Sequence, residues 1–232
     1  MKKSLQIILE IVLAALCVLL AIAIVKSINK PVNFNKQKAY RESIAIQRLK
    51  DIRTLQVAYK SVNGRFTSTV DSLKDFYNNG KMSIIMQVGS MDDSLAVAHT
   101  EAVKKSFRGK KVTPEMLQEL YLKGDHNLVY TIESKIPVKD TLFNDRPDLN
   151  LDDLKYIPFS DGEPVQMEAV TKMVSGVPVP LFEARMPYKS LLKGLDNQLR
   201  INLDADQRDK NRYEGLQVGS ISAPNNNAGN WE

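Results

Sequence analysis

Leu5-Gln6-Ile7-Ile8-Leu9-Glu10-Ile11-Val12-Leu13-Ala14-Ala15-Leu16-Cys17-Val18-Leu19-Leu20-Ala21-Ile22-Ala23-Ile24-Val25 is an apolar run broken only by Gln6 and Glu10. A helix of about twenty such residues crosses about 30 Å of hydrocarbon. The run therefore predicts a single transmembrane anchor. Ala21-Ile22-Ala23 has the form of a signal-peptidase box, which makes a cleaved signal peptide the main rival. The run is long for that, and an uncleaved anchor is the expectation. Leu16 precedes Cys17 where a lipoprotein signal needs a small residue.

On one side of the run lies a short basic head, Met1-Lys2-Lys3-Ser4. By the positive-inside rule this head stays in the cytoplasm and the domain is extracytoplasmic, or periplasmic. Lys26, Lys30, Lys36, Lys38 and Arg41 on the other flank weigh against that orientation. Glu10 is a carboxylate within an apolar helix. Two readings fit it: a position near the headgroups, or a pair with a cation or free amine on a neighbouring subunit.

On the other side, Lys26 to Asn35 contains Pro31 and several Asn, and predicts a break or bend in the helix. From Lys36 to Val62, Ala45, Leu49, Ile52, Leu55, Tyr59 and Val62 recur at helical spacing, with Arg48, Lys50, Asp51 and Arg53 largely off the stripe. This predicts an amphipathic helix with Leu49, Ile52, Leu55 and Tyr59 on its core face, stopped by Asn63-Gly64. A short helix over 70–77 follows, with Leu73 and Phe76 inward. Strands are expected at 82–89, 127–133 and 154–158, and at 95–103 a second strand, though Ala and Glu there would also suit a helix. A hairpin is expected over 164–174 and 177–186 around Ser175-Gly176, and a last strand over 213–221. Helices are expected after Thr113-Pro114 and from Pro187-Tyr188 to about Leu199. Helix first and strands later give an α+β fold, an amphipathic helix packed on an antiparallel sheet. The expected divisions are 1–30 for head and anchor, 31–221 for one α+β domain, and 222–232 for an Asn-rich disordered tail.

The 232 residues are 43% hydrophobic and 25% charged, an ordinary globular mixture. The net charge of +5 is spread among Asp and Glu, so no basic stripe points to nucleic acid. The densest basic run, Lys104, Lys105, Arg108, Lys110 and Lys111, reads as a solvated loop. Cys17 is the only cysteine, which leaves the rest of the chain without disulfides or thiolate metal sites. His99 and His126 lack metal-ligand spacing. No nucleophile elbow, P-loop or dinucleotide fingerprint appears. Two acidic loops carry oxygen ligands for calcium, Asp145, Asp148, Asn150, Asp152, Asp153 and Asp204, Asp206, Asp209. Neither has the EF-hand glycine and closing Glu, and solvated turns are the stronger reading. No catalytic residue, cofactor or metal is assigned.

Leu49-Lys50-Asp51-Ile52-Arg53-Thr54-Leu55-Gln56-Val57-Ala58-Tyr59, then Asn63-Gly64-Arg65-Phe66, then Ser72-Leu73, resembles the type IV pilins and the pseudopilins of type II secretion. If Gln6 is counted as the first mature residue, Glu10 falls at the fifth position. There the family carries a glutamate that neutralises a neighbouring N-terminal amine during assembly. Leu5 stands where prepilin peptidase requires Gly, Gln6 where Phe or Met is usual, and Thr67 where the family has Pro. The likeness covers about residues 6–76. It implies a non-enzymatic, single-pass subunit of a secretion or pilus-like assembly in the cytoplasmic (inner) membrane. Glu10 and Gln6 would mediate assembly. The bilayer, other anchored subunits and further copies of this chain would be its partners. A static scaffold that binds a partner through its domain is the alternative, with an anchored ligand-binding sensor behind it.

Overall fold

The computed structural model describes residues 3–107, 111–146 and 148–232, with side chains from residue 10 onward. The fold is α+β, an N-terminal apolar helix packed against antiparallel sheets that do not close into a barrel. Helix α1 is one element, Lys3–Asn63, of 61 residues. Of the break or bend expected at 26–35, the break does not occur, and α1 runs through Pro31. Proline at that point removes one N–H, the one that would bond the carbonyl of Ser27. Asn63 and Gly64 end the helix as expected. Asn63 Nδ2 donates to Tyr59 O at 3.1 Å, and Gly64 N donates to Lys60 O at 2.8 Å from a φ of +71°.

The chain divides into two compact units, where the sequence predicts one domain over 31–221. The first comprises Met1–Val57, Arg65–Leu73 and Asn150–Glu232, and the second Ala58–Gly64 and Lys74–Leu149. In the first unit Ala45, Leu49, Ile52 and Leu55 of α1 are fully buried. Its sheet has the order β3-β4-β5, with β3 at Gln166–Val174, β4 at Val177–Pro187 and β5 at Gly215–Gly219. Ser175 and Gly176 take φ of +50° and +83°, a turn whose handedness matches the strand twist. β4 supplies Leu181, Phe182, Ala184 and Met186 to the core. Phe66 packs on Phe182 with ring centroids 4.8 Å apart.

Three expectations for this unit are corrected. The stretch 154–158 is not a strand. A 3-10 turn over Leu151–Lys155 leads into a lone bridge between Tyr156 and Pro164. The helix expected over 187–199 is two, α5 at Tyr188–Leu191 and α6 at Asn197–Asp209. Gly194, at φ +80°, turns the chain, and Asp196 caps α6 by accepting from Leu199 N at 2.9 Å. The tail over 222–232 is not loose. Gly219 N donates to Ala228 O and Asn230 N to Gln217 O, each at 3.0 Å, and Arg53 holds Glu232 at 2.6 Å. Asn composition read as disorder overlooks that an Asn amide pairs with backbone as a strand neighbour does.

The second unit holds β1 at Lys81–Val88 and β2 at Tyr130–Pro137, an antiparallel pair with Lys81 opposite Pro137. The stretch 95–103, read as a strand, is helix α3 at Ser94–Ser106. Asp93 caps it, accepting from Leu95 N and Ala96 N. Helix α4, Pro114–Leu122, starts at Thr113-Pro114 as expected. Leu117 packs with Leu128, Tyr130 and Ile132. Helix α2, Val70–Asn79, carries Leu73 and Phe76 inward, and Phe76 clusters with Ala58 and Val138. Val62, read as part of the stripe, is 46% exposed; the buried face has ended one turn earlier.

Candidate functional site

The first part of α1 carries large apolar side chains that nothing among the described residues covers. Ile11, Val12, Leu13, Leu16, Val18, Leu19 and Leu20 are all exposed. Water would make this costly, at about 25 cal/mol for each Å² of apolar surface left wet. This is the one helix, among the described residues, long and apolar enough to cross a membrane. Glu10 lies exposed on it. The side chain of Gln6 lies outside the described residues, as do Arg108 and Lys110 of the basic run.

Where the apolar run ends, a polar clamp joins α1 to its unit. Lys30 Nζ meets Asp196 at 2.7 Å, and Phe34 is the first buried apolar residue. Lys30, with a backbone bond from Leu199, holds the Asp196 carboxyl below the ordinary carboxylate value. The Arg41 guanidinium donates to Leu191 O at 3.0 Å and Lys193 O at 2.8 Å, and lies 4.7 Å from the Phe159 ring centre. Tyr188 donates its hydroxyl to Glu42 at 2.7 Å, and Lys38 pairs with Glu42 at 3.0 Å. Burial first, and the Glu42 carboxylate second, push the Tyr188 phenol far above its usual value. The group stays protonated and serves as a donor, not as a base.

Of the residues expected on the core face of α1, Leu49, Ile52 and Leu55 are fully buried, and Tyr59 packs edge-on against Phe76 at 5.3 Å. Asn63 and Gly64 form a cap and line no site. Two buried polar residues of α1 were missed, Asp51 and Gln56. Gln47 Nε2 donates to Asp51 at 3.0 Å. Gln56 follows Leu49 and Ile52 at intervals of three and four, so the stripe itself marks it as inward.

The other polar groups are accounted for locally. Asp204, Asp206 and Asp209, read as a loop, lie on α6. There Asp204 pairs with Arg200, and Asp206 with Lys210 at 2.7 Å, each one turn apart, so their carboxylates do not converge. Among the described residues no three His, Cys, Asp or Glu groups gather to hold a metal ion. His99 bonds Asp125 at 2.9 Å, and the His126 ring meets Tyr121 at 4.8 Å. A shallow hollow of about 200 Å³ lies among Thr100, Glu101, Lys104 and Tyr130. It is smaller than the roughly 300 Å³ at which small-molecule sites begin. The arrangement is an uncovered apolar stretch of helix tied to a packed unit, consistent with a membrane-associated protein in general. No family model, curated protein or solved structure matches this chain.

Proposed function

We propose that this chain is a non-enzymatic structural subunit of an envelope secretion or pilus-like assembly, similar to a pilin or pseudopilin. It sits in the cytoplasmic membrane with its α+β units on the extracytoplasmic side. The supporting observation is α1, in which an exposed apolar stretch and the buried stripe from Ala45 to Leu55 belong to one unbroken helix. Such a subunit works by lateral packing of anchor helices. Van der Waals contact and sparse polar contacts drive that packing in lipid. Glu10 supplies the polar contact, to a cation or free amine on a neighbouring copy.

Cys17 lies seven residues from Glu10 and so faces the same side of the helix. Thiol cross-linking in native membranes therefore reports packing on the Glu10 face. We expect a covalent dimer through Cys17 that is lost in Glu10→Ala, while circular dichroism of the domain is unchanged. Equal cross-linking in both proteins would sink the proposal.

Leu5, at the position where the processing enzyme needs Gly, favours a second reading, a permanently anchored scaffold that never enters a filament. Intact mass of protein from its native membrane separates them. A chain beginning at Gln6 supports the assembling subunit, and an uncut chain supports the scaffold.

A further inference from the structure

We propose that the turn between α5 and α6, together with the part of α1 beside it, is a docking surface for anionic phospholipid headgroups of the bilayer that holds the anchor. This rests on the reading of α1 as a membrane span. Beyond Glu10 the first charge on α1 is Lys26, and Lys30 lies one turn further, about 6 Å along the axis. At that point Lys30 already meets Asp196, the residue that caps α6. The headgroup layer on each side of the hydrocarbon is about 5–8 Å thick. The Asp196 end of the turn thus falls within that layer.

Two further observations place lipid there. Ile28 and Val32 remain 60% and 57% exposed at this level. With Val25 they stand at i, i+3 and i+7 on one face. Beside them Lys26 is exposed, and among the described residues it has no ion-pair partner. Apolar side chains interleaved with lysines fit the interface, where the stems lie along acyl chains and the ammonium groups reach phosphates. The charge at this level selects anionic headgroups.

The full chain in lipid nanodiscs tests this, with a fluorophore on one thiol at a time. The positions are native Cys17, Gln198→Cys on α6 and Lys50→Cys on α1, the last two in a Cys17→Ser background. Gln198 and Lys50 are exposed. Lys50 lies about 36 Å along α1 from Lys26. The quenchers are phosphatidylcholines carrying a nitroxide on the headgroup or deep on the acyl chain, in bilayers with or without phosphatidylglycerol.

We expect acyl quenching at Cys17, and headgroup quenching at Gln198 severalfold above that at Lys50. The Gln198 signal should rise with phosphatidylglycerol and fall in Lys26→Gln. A quenched Cys17 with Gln198 no closer than Lys50 overturns the docking surface and leaves the anchor standing. Headgroup quenching at Gln198 that ignores phosphatidylglycerol overturns the anionic partner. A Cys17 label untouched by the acyl quencher overturns both the anchor and the surface.

Discussion

The side-chain amide of Gln56 holds both polar groups of the Thr67 backbone. Its Nε2 donates to Thr67 O at 2.6 Å, and its Oε1 accepts from Thr67 N at 3.1 Å. Gln56 is fully buried. The loop after α1 is therefore fastened to the helix by two part-buried hydrogen bonds, next to the Phe66–Phe182 stack.

Replacing Gln56 with Leu keeps the volume and strands both groups of Thr67. An unmet buried polar group costs about 1–3 kcal/mol, so a loss of roughly 2–4 kcal/mol is expected. Urea unfolding measures it. Gln56→Glu keeps the acceptor but turns a carboxylate oxygen toward Thr67 O, and should be at least as damaging at neutral pH.

Truncating Leu49 to Ala in the fully buried stripe should cost about 2–5 kcal/mol. Val62→Ala, at a position nearly half exposed, should stay within about 0.5 kcal/mol. Parallel denaturant curves decide whether the core ends where the structure ends it.

Asn230 should matter more than an exposed tail residue normally does. Its Oδ1 accepts from Gln217 N at 3.0 Å, and its Nδ2 donates to Gly215 O at 2.8 Å. In Asn230→Ala the Gln217 amide should exchange with deuterium about tenfold faster, the change that roughly 1.4 kcal/mol of lost local stability gives. Unchanged exchange would mean the tail does not protect β5.

Acid should release the tail. Arg53 holds the Glu232 carboxyl below its ordinary value of 4.5. A carboxylate depressed by folding contributes its stability above the unfolded value and loses it as pH falls through the lower, folded one. Trp231, the only tryptophan, sits next to Glu232. Its emission should hold steady from neutrality down to about pH 4.5 and move to the red below that. Glu232→Gln should be red-shifted already at neutral pH. Asp204 has the opposite sign: burial pushes its carboxyl up, so its contribution is complete below its ordinary 3.8 and fades as pH rises through the raised value. The two are separable, because Trp231 reads only the tail.

The parts of the fold that local chemistry decides are readable from the residues. Ala45 to Leu55 mark the buried face of α1, Asn63-Gly64 its end, Ser175-Gly176 the hairpin, and Thr113-Pro114 the start of α4. What escapes such reading depends on partners distant in the chain. Leu95, Val97 and Val103 fit a strand or a helix, and Asp93 as a cap together with β2 as the partner of β1 settles it for helix. The Asn-rich tail looks structureless because Gln217, Gly215 and Arg53 are remote in sequence. For the candidate site, the apolar run and Glu10 are visible at once. The clamp of Arg41, Glu42 and Lys30 on residues beyond 187 is not, since it spans about 150 positions.

Pro31 leaves α1 continuous, and that has a mechanical meaning. From Lys26 to Val57, the last residue of α1 in its unit, the helix extends about 46 Å. For a helix set in a bilayer, a tilt of about 20° displaces a point that far along the axis by about 16 Å. The anchor reading therefore makes this stretch of α1 a lever arm, and whatever reorients the anchor also re-aims the unit built on it.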